Sequence, residues 1–133
     1  MTRAGTTLLT VALFMRSDID LTVAPVRNPV YVELSDGTIR NTYEVRLRNK
    51  HGEERPFRIS IKGDTSMWVE LEGVSSNIVV VPADQMKLQR VYVMSPDWSV
   101  PAKGKHTDFR IWVEDVLNGD RVYKDTVFNG KAR

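Results

Sequence analysis

Apolar and polar positions alternate strictly from Tyr43 to Arg48, with Tyr43, Val45 and Leu47 on one side and Glu44, Arg46 and Arg48 on the other. Successive side chains of a strand point to opposite faces, so this period predicts a strand with one core face and one wet face. The same period recurs at Ile19, Leu21 and Val23, where Pro25 ends the run as suits an edge strand. It returns at Phe57, Ile59 and Ile61, at Val69 and Leu71, and at Phe109, Ile111 and Val113, and Val122 to Phe128 reads as the last strand. Ile78 to Val81 is a continuous apolar run between Ser75-Ser76-Asn77 and Pro82, which predicts a strand buried on both sides or at a sheet crossover. From Met86 to Met94 the phase conflicts, Leu88 having one parity and Val91 and Val93 the other, which predicts a bulge near Arg90.

Turn chemistry separates these runs. Asp36-Gly37 lies between Val30 to Leu34 and Ile39 to Asn49, Gly63-Asp64 closes another strand, and Asn118-Gly119 is the strongest hairpin signal. Ser95 to His106 carries Pro96, Pro101 and Gly104 and reads as loop. Seven to eight short strands joined by such turns predict an all-β, antiparallel two-sheet sandwich. Its core is expected from Tyr43, Val45, Leu47, Phe57, Ile59, Ile61, Val69, Leu71, Val91, Val93, Phe109, Ile111 and Val113.

The N-terminal segment breaks the pattern. Ala4 to Met15 is dominated by Leu8, Leu9, Val11, Ala12, Leu13 and Phe14, with Arg3 before it and Arg16 and Asp18 after it. As a helix these residues would extend about 18 Å against the roughly 30 Å of a bilayer core, too short to cross alone. Readings left open are the end of a truncated membrane helix, a signal or anchor without an A-x-A-like cleavage site, and an ordinary N-terminal element. Residues 1–17 are set apart on this ground as a membrane-helix remnant or lead, and 18–130 as the sandwich.

The 133 residues suffice for one domain with a core of its own. Nineteen basic and seventeen acidic residues are interleaved along the chain, so there is no footprint for nucleic acid. Arg46, Arg48 and Lys50 line the wet side of one strand and read as a solvated face. The absence of cysteine removes disulfides and thiolate chemistry without fixing a compartment.

The run R-N-P-V-Y-V-E-L-S-D-G-T-I-R-N-T-Y-E-V-R-L-R-N-K, Arg27 to Lys50, resembles the opening of the C-terminal immunoglobulin-like domain of the FixG/CcoG/RdxA family. Weaker echoes follow at Pro56-Phe57-Arg58, Pro82-Ala83-Asp84, Val100 to Gly104 and Thr126-Val127-Phe128, so the resemblance runs from about Asp18 to Gly130. It implies an immunoglobulin-like sandwich on the periplasmic side of a bacterial inner membrane. The parent would be a membrane iron–sulfur protein tied to assembly of cbb3-type cytochrome oxidase, with Ala4 to Met15 as the final turns of its last membrane helix. Implied partners are the membrane portion of the same protein or an oxidase assembly partner. With no cysteine, no cluster ligand carries over, and no cofactor is expected in this chain.

Candidate chemistry is sparse. A copper-binding or redox-partner module could draw on His51 and His106 with Met15, Met67, Met86 and Met94, but their spacing announces no convergent site, and turn histidines with core methionines are the expected arrangement. Ser75, Ser76 and Ser99 lack a base that local sequence can place, and the pairs Asp18/Asp20 and Glu70/Glu72 read as solvated carboxylates, so no enzyme is expected. Two tryptophans are candidate partner anchors. Trp68 opposes the parity of Val69 and Leu71, and Trp98 sits in a Pro-flanked loop where it either reaches a partner or, as expected, folds over the sandwich end as a lid. Trp112 could cover one open face.

Overall fold

The computed structural model describes residues 19–132, so the reading of Ala4 to Met15 and of residues 1–17 as a separate unit lies outside the described residues. In order come β1 (Ile19–Pro25), β2 (Val32–Glu33), β3 (Ile39–Asn49), β4 (Arg55–Lys62), β5 (Trp68–Leu71), β6 (Ile78–Val81), β7 (Met86–Ser95), the helical turn α1 (Val100–Lys103), β8 (His106–Asp115) and β9 (Arg121–Asn129). One sheet runs β1-β3-β7-β5, with β2 also on β3; the other runs β6-β4-β8-β9. Every pairing is antiparallel.

The alternation that predicts the strands also sets their faces. Tyr43, Val45, Leu47, Phe57, Ile59, Leu71, Val91, Val93, Phe109, Ile111 and Val113 are buried between the sheets, with Ile61 and Val69 half-buried against them. Nine strands form where seven to eight were expected, because short edge pieces such as the two-residue β2 also pair.

Three expectations fail for physical reasons. The β3–β7 register runs unbroken from Ile39 opposite Ser95 to Arg48 opposite Met86, so there is no bulge near Arg90. Gln89 instead takes the inward place, its amide donating to the carbonyls of Glu72 and Arg90 at 2.9 Å, while Leu88 faces solvent. Ile78–Val81 is an edge strand, not one buried on both sides: Val79 and Val81 point inward and Val80 is 43% exposed. Ser95 to His106 contains a helical turn, since Ser99 accepts from the Ala102 amide at 3.1 Å as N-cap and Pro101 lies in the first turn, where its missing donor costs nothing.

The Asp36-Gly37 turn is a three-residue loop. Gly37 donates to the Leu34 carbonyl at 2.9 Å and takes φ +88°, a conformation that favours glycine. The Thr38 amide donates to Asp36 Oδ1 at 3.0 Å and holds that carboxyl below its usual range.

Two inward polar residues of β3 tie the sheets together. Asn41 donates to the Asn129 carbonyl at 2.9 Å and accepts from the Asn129 amide at 2.8 Å, and the Tyr43 hydroxyl donates to the Val127 carbonyl at 2.6 Å. The Asn129 end of the outer edge of β9 is thereby satisfied by side chains of the opposite sheet. Tyr43→Phe should cost about 1–3 kcal/mol in urea unfolding, since a buried acceptor is left unpaired. Burial also pushes the Tyr43 phenol up. Its folded value lies above the unfolded value of about 10, so its stability contribution is complete below that pH and falls as pH rises further. Alkaline melting curves of the Phe variant should lack that decline.

β3 has eleven residues, which makes the sandwich about 35 Å long. Ile19, Asn49, Met86, Asp115 and Arg121 mark one end; Pro25, Ile39, Ser95, His106 and Asn129 mark the other.

Candidate partner-binding site

At the end away from Ile19, the link from β7 to β8 is braced by hydroxyls. Ser95 Oγ lies 2.7 Å from Ser99 Oγ and 3.0 Å from Ser66 Oγ, joining the α1 cap to the β4–β5 loop. Ser99 Oγ donates to the Pro96 carbonyl at 2.7 Å, and Ser66 Oγ donates to Asp64 Oδ1 at 2.6 Å, which with the Ser66 amide lowers the Asp64 carboxyl. Ser99 is therefore a buried structural cap with its oxygen fully engaged, not a nucleophile.

On this rigid base stand two apolar side chains with nothing over them: Trp98 is 68% exposed and Val100 75% exposed. Trp98 is not a lid, because most of its surface is open to solvent rather than laid over the core. It lines, with Asp64, Thr65, Ser66, Ser99 and Val100, an open recess of about 480 Å³. The surface combines an indole, an aliphatic branch and the Asp64 carboxylate. Trp68 begins β5 two residues beyond Ser66, so both tryptophans sit at this end, although Trp68 does not line the recess. It is 38% exposed on the outer face, and its indole donates to Glu70 Oε2 at 2.9 Å.

The copper reading's residues are not brought together. His106 starts β8, its Nδ1 2.9 Å from Asn129 Oδ1, whereas His51 Nε2 lies 3.6 Å from Asp115 Oδ2 at the other end of the same ten-residue strand. About 30 Å separates strand ends of that length. Met67 and Met94 are buried as expected, but Met86 is 56% exposed. Met15 lies outside the described residues. Nor do the residues fit an iron–sulfur cluster, since the chain has no thiolate and no three His, Asp or Glu converge among the described residues.

Sequence reading missed two constellations. Trp112 and Tyr123 pack at 4.8 Å on the outer face of the second sheet, with the Arg110 guanidinium 3.7 Å over Tyr123 and that of Arg121 4.5 Å over Trp112. Arg110 is also held by Asp125 at 2.8 Å, which raises its already high value. At the Ile19 end, Asp115 is wholly buried and accepts from Arg55 Nη1 at 3.0 Å.

The comparisons with known proteins agree with this architecture. Residues 9–131 match a family described as the IG-like fold at the C-terminal of FixG. The chain belongs to the FixG C-terminal domain family. That description provisionally classes FixG as an oxidoreductase, an assignment made to FixG and not to this chain. Among relatives of this FixG-type domain, Protein RdxB of Cereibacter sphaeroides is 51% identical over 124 residues, covering 93% of this chain and 26% of that protein. Protein RdxA of the same organism is 47% identical over 84% of this chain and 24% of that protein. Nitrogen fixation protein FixG of Rhizobium meliloti is 28% identical over 91% of this chain and 24% of that protein. The chain thus spans about a quarter of the length of these relatives. A FixG-related protein from Vibrio parahaemolyticus shares the fold with a TM-score of 0.73 at 16% identity, over 88% of this chain and all of that one. No helix among the described residues is long and apolar enough to cross a membrane.

Proposed function

We propose that this domain is the non-catalytic docking module of a FixG/CcoG-like membrane iron–sulfur protein that serves assembly of cbb3-type cytochrome oxidase. It stands on the periplasmic side of the inner membrane, joined to the membrane portion through the apolar segment Ala4 to Met15. Family membership supports the setting, and the lack of cysteine leaves cluster ligation to the rest of the parent protein. One observation carries the docking role: Trp98 and Val100 are displayed beside an open recess on a hydroxyl-braced base. A pre-ordered indole loses little entropy on binding, and Trp anchors are enriched among the residues that dominate interfaces.

The test is Trp98→Ala with Val100→Ser in the full-length parent, followed by measurement of iron–sulfur content and assembled oxidase. Docking predicts intact clusters and several-fold less oxidase. Loss of both together would mean that the domain steadies the membrane portion instead, and loss of neither would remove the docking role. In the isolated chain the same pair should shift the melting temperature by no more than about 4 °C, because exposed substitutions stay within roughly 0.5 kcal/mol each. Protease added to intact spheroplasts should clip the domain; complete protection would place it on the cytoplasmic side.

A further inference from the structure

The Ile19 end carries a surface that the docking role does not use. β5 pairs with β7 only from Val91 to Met94, which leaves Met86 to Arg90 without a strand on that side. Exposed strand edges are usually blunted by charge. Here two apolar side chains stand out of the sheet, Met86 at 56% and Leu88 at 47% exposure. Their register partners on β3 are Arg48 and Arg46, and Lys50 follows at the same end; Lys87, opposite Leu47, has the other parity and does not share this face. Acids temper this group: Asp20 opposite Arg48, Asp84, whose Oδ1 is 3.6 Å from Arg48 Nη2, and Glu53, Glu54 and Asp120 in the loops at the same end. Arg46 and Lys50 have no acidic partner within ion-pair distance among the described residues. The β8–β9 loop adds Leu117, 60% exposed, at this end.

The tether fixes what such a patch can meet. Only Arg16, Ser17 and Asp18 separate Met15 from Ile19, and a chain of that length reaches no further than about 14 Å. If Ala4 to Met15 is bilayer-embedded, this end of the sandwich stands at the headgroups, and a rim of cations around aliphatic and thioether side chains is complementary to an anionic lipid surface. We propose that the Ile19 end of the domain rests on anionic lipid through Met86 and Leu88, with Arg46, Arg48 and Lys50 on the headgroups. The proposal rests on the membrane-tether part of the proposed function and is independent of docking at Trp98.

Because the chain has no cysteine, Leu88→Cys gives a single site for an environment-sensitive fluorophore in the full 133-residue chain. The probe is phosphatidylcholine vesicles with and without phosphatidylglycerol. The expected result is that the chain sediments with phosphatidylglycerol vesicles and that the label shifts to the blue and is reached by a lipid-embedded quencher. In the otherwise native chain, Arg46→Glu with Arg48→Glu should weaken partitioning onto those vesicles at least 25-fold, about fivefold per position for each basic charge lost at an anionic surface. If the chain binds vesicles while the label stays in water, the proposal fails and the tether reading stands. Failure of the chain to bind any vesicle overturns the tether reading and this proposal with it. Equal label shifts on phosphatidylcholine alone, with no effect of the two charge reversals, would overturn the role of anionic headgroups.

Discussion

Replacing Asp115 by alanine is expected to cost about 3–5 kcal/mol, the usual cost of removing one partner of a buried ion pair. Asp115 is fully buried, and its two oxygens have different duties. Oδ2 accepts from Arg55 Nη1 at 3.0 Å, with His51 Nε2 at 3.6 Å, and Oδ1 accepts from the Leu117 amide at 2.9 Å. The Arg55 side chain is only 12% exposed, so without the carboxylate its charge is left in a poorly solvated place, with Glu53 at 3.0 Å as its remaining partner on the wet side. For a chain of this size the loss corresponds to a melting temperature lower by about 10–20 °C. Arg55→Met in the Asp115→Leu background should be markedly less costly than the two single losses added, because it removes the stranded charge. The recovery should be partial, since the Leu117 amide still lacks its acceptor. A drop of under 3 °C for Asp115→Ala, or strict additivity in the double variant, would show that the pair does not act as a unit.

The position of Asp115 was legible, although its role was not. It continues the inward series Phe109, Ile111, Val113, just as Asn41 and Asn49 extend Tyr43, Val45, Leu47 and Gln89 precedes Val91 and Val93. Period two places a residue on the core face whatever its chemistry, and a polar residue there must find partners inside. Which partners it finds depends on the opposite sheet: Asn41 meets Asn129, eighty-eight residues away, and nothing local announces that. The expected bulge near Arg90 came from assuming that Leu88 belonged to the core. The unbroken β3–β7 register explains why it does not, since Leu88 stands opposite the outward Arg46 and Gln89 takes the inward place beside it. Val80 misled in the same way, because a run of valines reads as buried on both sides even where an edge strand turns one of them outward. At the candidate site, the sequence marked Trp98 and Trp68 as anchors. It could not show that Trp98 stands free of the core, because the course of its loop depends on Ser99 capping α1 and on Ser66 and Ser95 meeting there.

Gly130→Ala should detach the end of the chain from the site. Gly130 is buried against α1, and a Cβ placed there would lie 2.2 Å from the carbonyl oxygens of both Gly104 and Pro101 and 2.8 Å from that of Ala102. All three are backbone atoms, so no rotamer change can make room. The strain is steric: it arises from the close approach of two backbones. Either α1 moves off, or the segment after Asn129 swings out. The second route forfeits the bonds from the Gly130 amide to Lys105 at 3.2 Å, from Lys131 to Ala102 at 2.9 Å and from Ala132 to Gly104 at 3.2 Å. Three backbone hydrogen bonds at about 1 kcal/mol each set the cost near 3 kcal/mol, since a chain end can leave without unfolding the sheets. α1 follows directly on Trp98 and Ser99, so loosening it should also blur the display of the indole. Hydrogen exchange should quicken at Lys103 and Gly104 while Val45, Val91 and Ile111 keep their protection. If Gly130→Ala left exchange unchanged both at α1 and at the Gly130, Lys131 and Ala132 amides, the close packing of Gly130 on these carbonyls would be refuted, whereas equal loss of protection in all these residues and in the core strands would show that the terminal segment belongs to the global folding unit.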